Sequence, residues 1–178
     1  PAWPGRGAEQ LQGEGVYEKA AEQGHHAGAQ FNLGFMYHDG QGGEQNDSKA
    51  REWYKKAAKQ GDANAQYNLG LVYYHGDGVV QSYSKAKNWF EKAAKQEEAD
   101  AQYNLGIMYH QGHGVNQDYS KAREWFEKAA KQEHANAQCN LGAMYENGVG
   151  VEQSDSTAMR WYGKAAAQGV EHAQEGIN

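Results

Sequence analysis

The sequence predicts an all-α protein, an α-solenoid built from antiparallel helix pairs. A pattern of small and aromatic residues returns every 36 residues, and each copy divides into two stretches of helical periodicity. A fixed period of this size is typical of solenoids and related repeat architectures. Both prolines lie within the first four residues, so none interrupts a helix of the repeats.

The clearest copy of the pattern spans residues 101–132. Similar stretches before and after it predict four complete repeats, at 26–61, 62–97, 98–133 and 134–169. We expect a single solenoid domain over residues 16–178, with partial repeats acting as caps at 16–25 and 170–178. Residues 1–15 hold both prolines and several glycines, and are expected to be disordered or left over from expression.

Each repeat is predicted to contain two helices. In the first helix of the second repeat, Ala65, Leu69 and Val72 fall on one face. That helix should end at Gly76, because glycine readily adopts the left-handed cap conformation. The second helix of each repeat should begin at a residue that favours N-capping, and these are Asn46, Ser82, Asp118 and Ser154.

The buried stripe of the second helix is expected to comprise Ala86, Trp89, Phe90 and Ala93 and their equivalents. A glycine recurs in the middle of every first helix, at residues 34, 70, 106 and 142. Because glycine destabilises a helix interior, its recurrence predicts a close approach, with Trp89 or Trp53 of the paired helix against it. Outer i,i+4 ion pairs are expected for Glu52–Lys56, Glu91–Lys95 and Glu127–Lys131.

Charge and composition narrow the function classes. The formal net charge of −6 argues against a nucleic-acid partner, which normally requires a basic surface. No apolar run approaches the length of a membrane span. Cys139 is the one cysteine, which excludes an intrachain disulfide. These features fit a soluble protein of the bacterial cytoplasm or periplasm, and leave the compartment unknown.

The repeat resembles a known family. The second repeat carries Ala65, Leu69-Gly70, Tyr73, Gly76 and Gly78-Val79, followed by Lys85-Ala86, Trp89-Phe90 and Lys92-Ala93-Ala94. This run is similar to the Sel-one-like repeat, a branch of the tetratricopeptide class, and the resemblance covers about residues 16–177. Gly43 and Thr157-Ala158 depart from the pattern in the outer repeats. The resemblance implies a right-handed superhelix and an adaptor function.

The resemblance further implies that the first helix of each pair lines a concave groove. We call the side chains that would face it the groove-phase residues, and they are Phe31, Phe35, His38, Tyr67, Leu71, Tyr74, His75, Tyr103, Ile107, His110, Cys139, Ala143 and Glu146. Independently of the resemblance, periodicity places Tyr67, Leu71 and Tyr74 on a second apolar stripe. A helix that is apolar on two sides is either buried on both or offers one side to a ligand.

Two alternatives stay open for this face. Leu71 and Ile107 can instead pack between repeats, as apolar side chains commonly do. The recurring Asn32, Asn68, Asn104 and Asn140 can hydrogen-bond a peptide, although bridging adjacent helices is the favoured interpretation.

Catalytic and metal sites have weaker support in the sequence. The histidine pairs, such as His110 with His113, lack the ligand spacing of a zinc site. The Gly-x-Gly loops follow helices and lack the other residues of a phosphate-binding loop. We therefore expect no cofactor, metal or catalytic residue. The predicted function is a non-catalytic adaptor for a protein or peptide, and the alternative is an assembly or spacer module that self-associates through its terminal repeats.

Overall fold

The computed structural model describes Ala21, residues 26–41 and 44–171, and Ala173. Eight helices and no strand lie within these residues, which confirms the predicted all-α class. The predicted N-terminal segment 1–15, the cap at 16–25 apart from Ala21, Gly43, and most of residues 172–178 lie outside the described residues.

The helices alternate between the first and second positions of the predicted repeats. They are α1 (Ala27–Asp39), α2 (Asp47–Lys59), α3 (Ala63–His75), α4 (Tyr83–Ala94), α5 (Ala99–Gln111), α6 (Tyr119–Lys131), α7 (Ala135–Asn147) and α8 (Asp155–Ala167). The chain divides into two compact units after Ala93. In the first unit α1 pairs with α2, and α2 packs on α3. In the second unit α5 pairs with α6, α7 pairs with α8, and α6 packs on α7.

The predicted helix boundaries are confirmed by their capping interactions. The side chains of all four predicted N-cap residues accept a hydrogen bond from a backbone N–H three residues later, at 3.0 Å for Asn46, 3.4 Å for Ser82, 3.0 Å for Asp118 and 3.3 Å for Ser154. Gly76 ends α3 with φ of 86°, and its N–H donates to the carbonyl of Val72. This left-handed conformation explains why glycine stands there.

A leucine and a single aromatic ring form the centre of each helix pair. In the second unit Leu105 and Leu141 are fully buried, together with Phe126. Small alanines, such as Ala129 and Ala137, surround these side chains and let the helices approach closely. The core is therefore a thin layer repeated along the chain, as in other repeat proteins.

The expectation that a tryptophan packs against the mid-helix glycine is wrong. A Cβ added at Gly70 would lie 2.5 Å from the ring of Phe90, and one at Gly34 would lie 2.7 Å from the ring of Tyr54. The ring that follows the tryptophan therefore fills this space. Trp89 is only partly buried, and the ammonium of Lys92 lies 4.1 Å from the centre of its ring.

The outer ion pairs also differ from the prediction. Glu91 pairs with Lys87 at 2.6 Å, and Glu127 pairs with Arg123 at 3.0 Å, so each glutamate uses the preceding cation. Lys95 lies in the turn after α4, so it does not continue the face on which Glu91 lies. These pairs are partly exposed and contribute little to stability, roughly 0.3–0.5 kcal/mol each.

Buried glutamines connect successive helices, a feature that the sequence analysis missed. The buried polar side chains of the described residues are Gln30, Gln66, Gln102 and Gln138. In the second unit the Gln138 amide donates to the carbonyl of Ala130 at 3.3 Å and accepts from Gln168 at 2.9 Å. The recurrence of Ala-Gln at one position of every repeat is the signal that could have indicated this role.

Candidate functional site

The groove-phase residues all retain some solvent exposure. Phe35 is 40% exposed, His75 and Glu146 are also exposed, and the other members are intermediate. The opposite face of the same helices is closed, since Leu69 is 1% exposed and Leu105 is fully buried. Each first helix therefore has one face that is buried in the core and one face that is partly exposed to solvent.

In the first unit, aromatic rings of the second helices support the groove-phase rings. The Phe31 ring centre lies 5.9 Å from that of Tyr54, and the Tyr67 ring centre lies 5.9 Å from that of Phe90. Tyr74 makes an edge contact at 5.2 Å with the ring of Tyr83. Such contacts limit the conformations that these rings can adopt.

In the second unit, His134 holds the ring of Tyr103. The two rings stack with centres 4.5 Å apart and an interplanar angle of 21°. The Nδ1 atom of His134 accepts from the N–H of Ala137 at 3.1 Å, and its Nε2 atom lies 3.0 Å from Asp100 Oδ1. These partners require the neutral tautomer with the proton on Nε2. The hydrogen bond from His134 lowers the pKa of the Asp100 carboxyl.

The groove-side asparagines act in two ways. Asn140 hydrogen-bonds the side chain of Tyr103, which agrees with the favoured bridging role. Asn68 and Asn104 instead donate to carbonyls of their own helices, at 2.9 and 2.8 Å. Burial raises the pKa of the Tyr103 hydroxyl, and the bond with Asn140 opposes that shift.

A cavity of about 300 Å³ opens between α5 and α7. Ile107 and His110 line one side, Ala143 and Asn147 line the other, and Phe126 contributes to the lining. Ala143 stands at the repeat position that Leu71 and Ile107 occupy in the two preceding repeats. Because alanine is smaller, this substitution leaves open space between the two helices.

A fixed carboxylate lies on the same helix as this cavity. Glu146 accepts a hydrogen bond from the Tyr162 hydroxyl at 2.7 Å, and it replaces the histidine found at positions 38 and 110. Burial raises the pKa of Tyr162, and the hydrogen bond to Glu146 raises it further. The hydroxyl of the equivalent Tyr54 is buried and has no hydrogen-bond partner among the described residues.

The first helices of the pairs differ in charge from the second helices. Helices α1, α3, α5 and α7 contain no lysine or arginine, and their acidic residues are Asp39, Asp100 and Glu146. Lysine and arginine are concentrated instead in the second helices, as in α2 and α6. The groove-phase surface is therefore aromatic and neutral to acidic.

Five segments of the chain match the model of the Sel1 repeat, at residues 17–25, 27–62, 63–97, 99–134 and 135–170. The chain belongs to the Sel1 repeat family. From residue 27 onward, each matched segment covers one helix pair of the structure. Sel1 repeat proteins are generally protein-interaction scaffolds, and their fold is typically non-catalytic.

Solved structures support the same assignment. A Sel1 repeat protein from Oxalobacter formigenes is 33% identical, with a TM-score of 0.87 over 92% of this chain and 66% of its own. The c5321 protein, a protective antigen of uropathogenic Escherichia coli with an SLR fold, is 41% identical, with a TM-score of 0.88 over 90% of this chain and 34% of its own. The present chain therefore spans less than two thirds of either protein.

A third structure, Helicobacter pylori cysteine rich protein B, is 25% identical with a TM-score of 0.55, and the match covers 70% of this chain and 93% of that one. Among curated proteins, no match was found. Together, the helices and these neighbours confirm the predicted α-solenoid.

This Sel1 repeat structure gives little support to a metal site or a nucleophilic cysteine. Among the described residues, no three histidine, cysteine or acidic side chains gather as metal ligands would. Burial raises the pKa of the Cys139 thiol, which disfavours the nucleophilic thiolate. None of the helices in the described part of the chain is both long and apolar enough to cross a membrane.

Proposed function

We propose that this Sel1 repeat protein is a non-catalytic adaptor that binds a protein or peptide segment through the groove-phase residues. One observation carries the proposal. These side chains are largely aromatic or aliphatic, yet all of them stay partly exposed while the opposite face of the same helices is buried. Tyrosine suits such a surface because its ring gives apolar contact and its hydroxyl can pair with a polar partner.

The cavity between α5 and α7 gives the groove a place for an anchoring side chain. Its volume of about 300 Å³ and its lining by Ile107, Ala143 and Phe126 suit an apolar group. Asn147 and His110 supply polar atoms at the same place. The absence of lysine and arginine from the groove-side helices favours a neutral or basic guest over an acidic one.

The proposal is tested with peptides selected from a random display library against the intact chain. We expect Tyr67→Ala with Tyr103→Ala to weaken binding of a selected peptide more than about tenfold, because tyrosines that become buried on binding often dominate an interface. Met159→Ala is the matched control, since Met159 is 51% exposed on the second helix α8. Affinity is measured by calorimetry, and circular dichroism verifies that each variant is folded.

A second variant keeps the proposal testable if the double tyrosine variant does not fold. Ala143→Leu fills the cavity with the residue that the second repeat already uses at Leu71. This substitution should leave the protein folded and should weaken the binding of peptides that anchor in the cavity. Wild-type affinity in both the double variant and Ala143→Leu would show that the groove-phase residues are not the binding surface.

A further inference from the structure

Two clefts in the second unit, away from the groove-phase residues, are copies of one another. The first, of about 460 Å³, is lined by residues that include Glu97, Trp125 and Lys128. The second, of about 570 Å³, is lined by residues that include Glu133, Trp161 and Lys164. Every lining position of the first cleft recurs in the second 36 residues later. We call them the paired clefts.

Each of the paired clefts combines an aromatic wall with a fixed positive charge. The Lys128 ammonium lies 4.0 Å from the centre of the Trp125 ring, and that of Lys164 lies 4.7 Å from the centre of the Trp161 ring. Cation–π contact restricts the ammonium without neutralising it, so its N–H groups can still donate to an oxygen atom. Lys131 lines both clefts, which makes them neighbours along one surface.

Lysines outnumber glutamates in the lining of each of the paired clefts. The first is lined by Lys95, Lys128 and Lys131 against Glu97, and the second by Lys131 and Lys164 against Glu133. A guest that brings carboxylates complements this balance, and a guest that also brings apolar side chains can cover the tryptophan rings. The groove-phase surface differs in this respect, because its helices carry no lysine or arginine.

We propose that the paired clefts bind an acidic polypeptide segment in which carboxylate and apolar side chains alternate. Carboxylates pair with the lysines that lie on the tryptophan rings, and the apolar side chains pack on the rings. The shared Lys131 lets one continuous segment occupy both clefts. The protein thus has two separate binding faces, one for a neutral or basic guest and one for an acidic guest.

The glutamates of the paired clefts oppose such a guest and can be removed without harm to the backbone. Glu97 and Glu133 both have φ of 63°, a left-handed conformation that favours glycine. Glycine already holds the corresponding corner at Gly61, with φ of 94°, and at Gly169, with φ of 87°. Glu97→Gly with Glu133→Gly therefore removes two negative charges at positions where the fold uses glycine.

The test uses the intact chain and a short acetylated, amidated peptide that alternates glutamate and leucine. We expect this acidic peptide to bind at low salt. A peptide in which glutamine replaces every glutamate should bind at least about tenfold more weakly. Lys128→Gln with Lys164→Gln should reduce affinity for the acidic peptide about fivefold to tenfold, whereas Glu97→Gly with Glu133→Gly should increase it. Binding should shift the indole N–H signals of Trp125 and Trp161 in NMR spectra.

A matched control removes the same charge elsewhere. Lys55→Gln with Lys121→Gln changes two lysines outside the paired clefts and should leave affinity nearly unchanged. Unfolding midpoints verify that every variant folds. The proposal is overturned if the acidic peptide does not bind, if the glutamine peptide binds equally well, or if the cleft lysine variant behaves like its control.

Discussion

Replacing Gly106 with alanine should destabilise the protein, although alanine is the better helix former. The added methyl would lie 2.5 Å from two atoms of the Phe126 ring. Phe126 is 1% exposed and packed among helices α5, α6 and α7, so a shift of its ring, even toward the neighbouring cavity, would disrupt these contacts. Overpacking of this kind typically costs about 1–3 kcal/mol. We expect a net loss of that order in the free energy of unfolding, measured by urea denaturation.

Gly163 provides the matched control for Gly106→Ala. It lies in helix α8, and an added Cβ would meet no atom within 4 Å. The effect of Gly163→Ala should therefore come from helix propensity alone. We expect it to stabilise the protein by up to about 1 kcal/mol. Opposite signs for the two substitutions are the expected result. Stabilisation by both would mean that the recurring mid-helix glycine does not mark a close approach of an aromatic ring.

Leu69→Ala should cost about 2–5 kcal/mol of unfolding free energy, as large-to-small changes in a closed core do. Leu69 is 1% exposed and packs with Ala57, Ala58 and Ala65. The cavity left behind cannot collapse easily, because the buried neighbours of Leu69 are alanines that already pack closely. Thermal and urea unfolding followed by circular dichroism would measure the loss.

Leu71 is the matched control for Leu69, because it is the same residue type on the opposite face of the same helix. It is only partly buried, so Leu71→Ala should cost roughly half as much or less. A selected groove peptide should instead bind Leu71→Ala more weakly than it binds the wild type. Equal destabilisation by the two substitutions would support the alternative in which Leu71 packs between repeats as part of the core.

Much of this architecture could be predicted because each repeat presents the same signals again. The N-cap residues, the glycine helix ends and the leucine face recur at one position in every repeat, so a weak local signal is supported by its copies. The ring that faces Gly70 was harder to predict. Trp89 and Phe90 are adjacent, and a helical period cannot decide which of two neighbours lies closer to the paired helix.

The side-chain network could not be predicted from the sequence to the same extent. Gln102 and Asn104 both recur in every repeat, and both are polar side chains on a first helix. The structure buries Gln102 against the carbonyl of Ala94, whereas Asn104 donates within its own helix. Burial of a polar side chain depends on the packing of the neighbouring repeat, which local sequence does not encode. The paired clefts were missed for the same reason.

The central claim is that the groove-phase face, and not the second-helix face, binds the neutral or basic partner. A titration of the isotope-labelled protein with a selected groove peptide, followed by heteronuclear NMR, tests both parts at once. The account predicts shifts at the backbone amides of groove-phase residues, led by Tyr67 and Tyr103. It predicts little change in the indole N–H signals of Trp53, Trp89, Trp125 and Trp161. Shifts confined to those indole signals, with silent groove-phase amides, would contradict it.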